Sequence, residues 1–193
     1  MATYTDALFI KADDNGLLAY IEQNYDQNQI RQLIVDTQNY RIKPLIGTGL
    51  YDELVTQITN NTLTSLNTTL LGYIRHTLIF YVLTDGVEIF NYKIRNKGVM
   101  TTNSDNGAPV DLNVLDRLMR YFEDRAQEYG KRMERYLLQN VNSYPLFLNP
   151  GTGIDTIIPR PQNRSTGWYL GTGDFNDDYA WIKYYQQIRN GQI

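Results

Sequence analysis

The sequence predicts a mainly α-helical fold: a bundle of about four helices with a short β hairpin or extended arm near residues 92–110 and a long irregular C-terminal extension. Three observations predict it. Apolar residues recur at alternating spacings of three and four from Leu115 to Leu137, the stretch from Leu63 to Phe90 is apolar around most of a helical circumference, and prolines, glycines and aromatics concentrate after Ser143. The chain therefore divides into a helical body over 1–142 and an arm over 143–193.

Leu8 to Lys11 reads as a short strand or extended arm, and Asp13-Asp14-Asn15-Gly16 is a turn signal before a short helix reaching Asn24. A first strong helix begins at Asp26, whose carboxylate can cap free amides, and sets Ile30, Leu33, Ile34 and Thr37 on one face. Pro44 disturbs it, and the apolar corner Pro44-Leu45-Ile46 is closed by Gly47-Thr48-Gly49. Leu50, Leu54, Val55 and Ile58 then make the stripe of a second helix ending at Asn60-Asn61. A third helix from Leu63 to Phe90 carries Leu66, Leu70, Ile74, Leu78, Tyr81 and Val82 at helical spacing and is the candidate central helix. Tyr92 to Met100 reads as the arm or hairpin, and Thr101 to Pro109 as a polar loop turning at Asn106-Gly107.

The fourth helix, from a cap at Asp111 to Val141, would span roughly 45 Å. Its expected seam is Leu115, Leu118, Met119, Phe122, Ala126, Tyr129, Met133, Tyr136 and Leu137. Arg117, Arg120, Arg125, Lys131, Arg132 and Arg135 also lie on it and raise the question of a phosphate-binding stripe. Asp116, Glu123, Asp124, Glu128 and Glu134 interleave with them, however, and Asp116 to Arg120 and Glu128 to Arg132 have the spacing of supporting ion pairs. The favoured reading is a solvated, mixed-charge face.

Residues 143–193 hold four of the six prolines and both tryptophans, and 9 of these 51 residues are aromatic. Low-complexity tails are poor in aromatics, so this composition is expected to order against a neighbour. Tyr144, Phe147, Trp168, Tyr169, Phe175, Trp181, Tyr184 and Tyr185 are the candidate anchors, and Asp178 to Asn190 a candidate short helix.

Composition excludes much chemistry. There is no cysteine, hence no disulfide, thiol nucleophile or thiolate metal site, and the single histidine, His76, cannot make a multi-histidine site. The net charge of −3 argues against a general phosphate-coating surface. Gly-Thr-Gly occurs at 47–49, 151–153 and 171–173 without the lysine or the strand and helix that phosphate loops need, and reads as turns. Asp174, Asp177 and Asp178, like Asp13-Asp14, lack the calcium-loop pattern. Glu53 with Glu88, or Asp52 with Asp85, carry no spacing that marks an acid–base pair, and His76 reads as a packed or interfacial histidine. Neither catalytic residue, metal nor cofactor is expected. No secretory leader or membrane span is read, because Arg75, His76, Asp85 and Glu88 interrupt the longest apolar stretch.

The run Ile34-Val35-Asp36-Thr37-Gln38-Asn39-Tyr40, followed by Ile42-Lys43-Pro44-Leu45-Ile46-Gly47 and Leu50-Tyr51-Asp52-Glu53-Leu54, resembles the front half of head-to-tail connector proteins of tailed bacteriophages, especially those of Bacteroides and crAss-like phages. Lys93-Ile94-Arg95-Asn96-Lys97-Gly98-Val99, and then Tyr121, Arg125-Ala126, Tyr129, Arg132 and Tyr136-Leu137-Leu138, is similar to the back half. The resemblance implies a virion protein of the neck, made in the host cytoplasm, whose copies form a ring, typically of twelve, beneath the portal. Such a ring joins capsid to tail and extends the channel through which genomic DNA passes without sequence-specific binding. Its partners would be further copies, the portal protein and other neck or tail proteins. The expected assembly contacts are Lys93, Ile94, Arg95, Lys97 and Val99 of the arm, by backbone pairing, and the aromatic anchors after 143. A small-ligand helical protein and a nucleic-acid-binding factor are the competing readings; the latter would need Arg75, Lys93, Arg95 and Lys97 to join the arginines of the fourth helix.

Overall fold

A computed structural model describes residues 7–21, 26–95, 98–101, 112–153 and 156–159. The chain is mainly helical. Its elements are α1 (Asn15–Leu18), α2 (Gln27–Thr37), α3 (Lys43–Ile46), α4 (Thr48–Thr59), α5 (Ser65–Asn91), the strands β1 (Tyr92–Arg95) and β2 (Gly98–Thr101), α6 (Leu112–Gln139) and α7 (Pro145–Leu148). More short helices are present than the sequence pattern resolved, because Pro44 and Gly47 cut one apolar stretch into pieces.

The long antiparallel pair α5 and α6 organises the rest. Every residue from Thr77 to Thr84 is buried, so α5 is surrounded on all faces over two turns. Its two buried threonines satisfy their hydroxyls locally: Thr84 Oγ1 donates to the Phe80 carbonyl at 2.9 Å and Thr77 Oγ1 to that of Tyr73 at 3.4 Å. α6 lays Leu115, Phe122, Ala126, Met133 and Leu137 against it. α2 covers another side with Ile30, Leu33 and Ile34, and starts at Asp26, whose Oδ1 accepts from the Asn28 amide at 2.9 Å. Burial of these aliphatic side chains, at about 1.5–3 kcal/mol each, is the main stabilising term.

Between α2 and α3, residues Gln38–Ile42 form a π turn in which the Lys43 amide donates to the Gln38 carbonyl five residues back. Pro44 explains it: the ring brings no amide hydrogen and would collide with a carbonyl in a regular α turn, so the helix widens by one residue. The widening turns Gln38 inward, where its Nε2 donates to the Ala7 carbonyl at 2.8 Å and its Oε1 accepts from the Phe9 amide at 3.2 Å. Residues 7–10 are thus held as an irregular segment by a side chain, with Phe9 against Tyr51. Arg41, on the same turn, ties three helices: it reaches Asp85 at 3.1 Å and Glu123 at 3.8 Å, and lies over the rings of Tyr40 and Tyr81. Thr37 Oγ1 completes the Asp85 carboxylate at 3.2 Å. Burial would weaken the charge on Arg41, but Asp85 and then Glu123 outweigh it and raise its pKa.

The two strands pair antiparallel, with Ile94 opposite Val99 and Lys93 opposite Met100. So short a pair does not hold itself together in water.

The first part of the expected arm belongs to the body. Phe147 and Leu148 of α7 are buried in the main core, and Tyr144 is 2% exposed, its hydroxyl donating to the Leu66 carbonyl at 2.8 Å and accepting from Tyr136 at 3.0 Å. Further on, residues 156–159 close over the start of α4: the Thr48 amide donates to the Ile157 carbonyl at 2.9 Å, and the Ile157 amide to Thr48 Oγ1 at 2.8 Å. Gly47, at φ +80° and ψ 158°, makes this possible; a Cβ there would stand 2.7 Å from Pro159 Cδ. At Gly49 it would stand 2.9 Å from the Pro150 carbonyl oxygen. The first Gly-Thr-Gly is therefore more than a turn: it is the cradle for the returning chain.

Candidate functional site

On α6, successive residues project about 100° apart, so one helix presents a core face and two separate flanks. The core face is complete without Leu118, which is 40% exposed, and Tyr129 and Tyr136 are only half-buried. All three were expected in the seam. Tyr129 and Tyr136 do pack against the core at its edge, on Phe80 and Tyr73 of α5, whereas Leu118 lies on the flank they border, with Val114, Tyr121, Arg125 and Arg132.

Rings and guanidinium groups alternate along that flank. Arg125 lies 4.4 Å over the Tyr121 ring and 5.8 Å from that of Phe80 on α5. Phe80 stacks on Tyr129 at 5.5 Å with planes 4° apart, exposed His76 stacks on the same ring at 5.2 Å, and Arg132 lies 5.2 Å over it. Tyr136 and Tyr73 end the ladder, stacked at 4.4 Å. Each ring pair adds about 0.5–1.5 kcal/mol beyond its buried area, so the ladder is rigid. Arg125 pairs with no carboxylate among the described residues, whereas Arg132 has Glu128 at 3.5 Å.

The opposite flank is different in kind. Val87 and Glu88 of α5 with Leu112, Leu115, Asp116 and Met119 of α6 line a cleft of about 210 Å³, four of its residues apolar and two acidic. Glu88 is exposed and makes no ion pair with another described residue; Asp116 is bridged to Arg120 at 3.0 Å. Leu112 beside it is 68% exposed.

The expected contact residues fare unequally. Lys93, Ile94, Arg95 and Val99 lie in the paired strands at the end of α5. Lys97, Trp168, Tyr169, Phe175, Trp181, Tyr184 and Tyr185 lie outside the described residues, as do Asp111, Asp174, Asp177, Asp178 and the Thr101 to Pro109 loop beyond its first residue. Tyr144 and Phe147 are corrected: they anchor the chain to its own core and offer no face to a partner, because aromatic composition marks burial without saying against what. His76, expected to be packed or interfacial, is exposed and stacks on Tyr129. Glu53 accepts from Gln57 at 2.7 Å and from Asn67 at 3.1 Å, and Asp85 is held by Arg41, so neither suggested acid pair meets. Arg75 is bound to Asp14, with Nε to Oδ2 at 2.8 Å and Nη2 to Oδ1 at 2.6 Å. No group of three acids or histidines among the described residues is arranged to hold a metal, and no helix searched is long and apolar enough to cross a membrane.

The ladder itself escaped sequence reading. Its signal was present as the spacing Val114, Leu118, Tyr121, Arg125, but three of its partners, Tyr73, His76 and Phe80, come from the facing helix. A family model, described as a family of unknown function (DUF6712), matches residues 42–157. No curated protein and no solved structure matches the chain.

Proposed function

The chain belongs to DUF6712, and we propose that this member of the family is a structural subunit of a head-to-tail connector, assembling as a ring, of twelve copies on the resemblance above, between portal and tail of a phage particle. The observation that carries this reading is the second stripe of α6. Val114 is 46%, Leu118 40% and Tyr121 46% exposed, at i, i+4 and i+7, on a helix whose core face is already filled. Apolar residues so aligned on an outer face fit a protein that buries that face on assembly. The order of motifs from Ile34 to Leu138 supplies the identity of the assembly; the strands at the end of α5 supply backbone for pairing between copies. Genomic DNA would traverse the lumen without a dedicated site, consistent with the acidic overall balance of −3.

Electron microscopy of the full chain, alone and mixed with the portal protein, tests the proposal. Rings stacked coaxially on the portal are expected. A chain that stays monomeric in both conditions would overturn it.

A further inference from the structure

The two flanks of α6 are complementary to one another, not to themselves. Arg125 and Asp116 are nine residues apart, two and a half turns, and so project from opposite sides of the helix. On Arg125's side stand Leu118, Tyr121, Arg132 and His76, so that two arginines are set among rings. On Asp116's side the cleft offers Leu112 and Met119 together with Glu88.

We infer that the ladder flank of one copy docks in the acidic cleft of the next, with Arg125 meeting Glu88 and Tyr121 and Leu118 covering Leu112 and Met119. This rests on the ring reading and specifies its contact. Charge complementarity selects a second copy as the occupant. Arg125 and Glu88 each lack an ion pair among the described residues, are carried by the same chain, and each stands beside exposed apolar surface. A ring face meeting itself would set Arg125 near Arg125 and leave the cleft open. Unlike surfaces on opposite flanks generate a heterologous, head-to-tail contact, which closes into a ring when the rotation per copy allows it. Arginine and tyrosine at its centre are the residue types that dominate interface energies, and the ladder's stacking fixes them before contact, which lowers the ordering cost of docking.

The test is a charge swap in the full chain, followed by sedimentation velocity over a concentration series and by microscopy. Both Arg125 and Glu88 are exposed, so Arg125→Glu and Glu88→Arg keep the helical circular dichroism of the parent. Each single change is expected to weaken self-association about tenfold or more, and the double change Arg125→Glu/Glu88→Arg to recover to within about threefold of the parent, as does a mixture of the two singles. Singles that associate like the parent, a double no stronger than the weaker single, or a parent that does not self-associate would each overturn the docking. Closed portal-bound rings insensitive to both changes would overturn it while leaving the connector reading intact; open filaments sensitive to both would do the reverse.

Discussion

Thr48 and Ile157, 109 positions apart in the chain, hold each other by two hydrogen bonds of 2.9 and 2.8 Å, one through each amide. The uncapped first turn of α4 obtains from this returning segment the acceptor that a capping side chain would otherwise supply.

Gly47 should be intolerant of any side chain. Its φ of +80° with ψ of 158° is a region only glycine adopts cheaply, and Pro159 fills the space a Cβ needs. Gly47→Ala is expected to lose about 2 kcal/mol in urea denaturation, combining backbone strain with loss of the 48–157 bonds. It should also open residues 156–159 to limited proteolysis; an unchanged midpoint and cleavage pattern would contradict the cradle.

Gly72 should behave oppositely. It lies inside α5 with nothing within 4 Å of the position its Cβ would take. Alanine there removes only backbone entropy of the unfolded chain, so Gly72→Ala should stabilise the monomer by about 0.5–1 kcal/mol and raise Tm by about 2–3 °C. Calorimetry reads this directly, and a lower Tm would refute the open surroundings.

Tyr144 should set the alkaline limit of stability. Burial, and then the Tyr136 hydroxyl, push its pKa well above that of a free tyrosine. The folded pKa is the higher one, so the stabilisation is complete below the unfolded value of about 10 and declines as pH climbs beyond it. Tyr144→Phe is expected to cost about 1–2 kcal/mol at neutral pH, since the hydroxyl's bonds to the Leu66 carbonyl and to Tyr136 are lost, and to flatten the loss of stability above about pH 10. Denaturation curves from pH 8 to 11 for parent and variant decide it.

Asp14 acts at the other end of the scale. Burial raises its pKa, but the Arg75 hydrogen bond, the Gly16 amide and the Arg75 charge together bring it below the usual value. The folded pKa being the lower one, the contribution is present above the ordinary carboxylate value of about 3.9 and fades as pH drops through the folded one. Asp14→Asn retains an acceptor for Gly16 and removes the charge. With Arg75 37% exposed, screening limits the expected cost to about 0.5–1 kcal/mol at pH 7, declining as pH falls below the ordinary carboxylate value. A cost that persists undiminished at pH 3 would assign it to the cap instead.

Periodicity carried the sequence reading where contacts are local. The seam from Leu115 to Leu137, the cap at Asp26 and the encirclement of α5 all follow from spacing within one helix. It failed where the deciding partner is distant. Nothing near Gly47 announces Pro159, and nothing near Leu118 says that α5 stops short of covering it. Tyr144 and Phe147 show the same limit for composition: an aromatic residue asks to be buried, and only the fold shows that Leu66 and the main core, not a neighbour, accept them. The ladder was half legible, since its arginines and tyrosines share a stripe on α6 while its remaining rings belong to another helix.

The clasp between residues 48 and 157 also has a place in time. Closing a loop of this length costs chain entropy that is recovered only after α5 and α6, joined through a much shorter connection, have already drawn its ends together. The contact of residues 156–159 with the start of α4 is accordingly late-forming, and a refolding experiment should show helical signal returning before Gly47 and Pro159 come into contact.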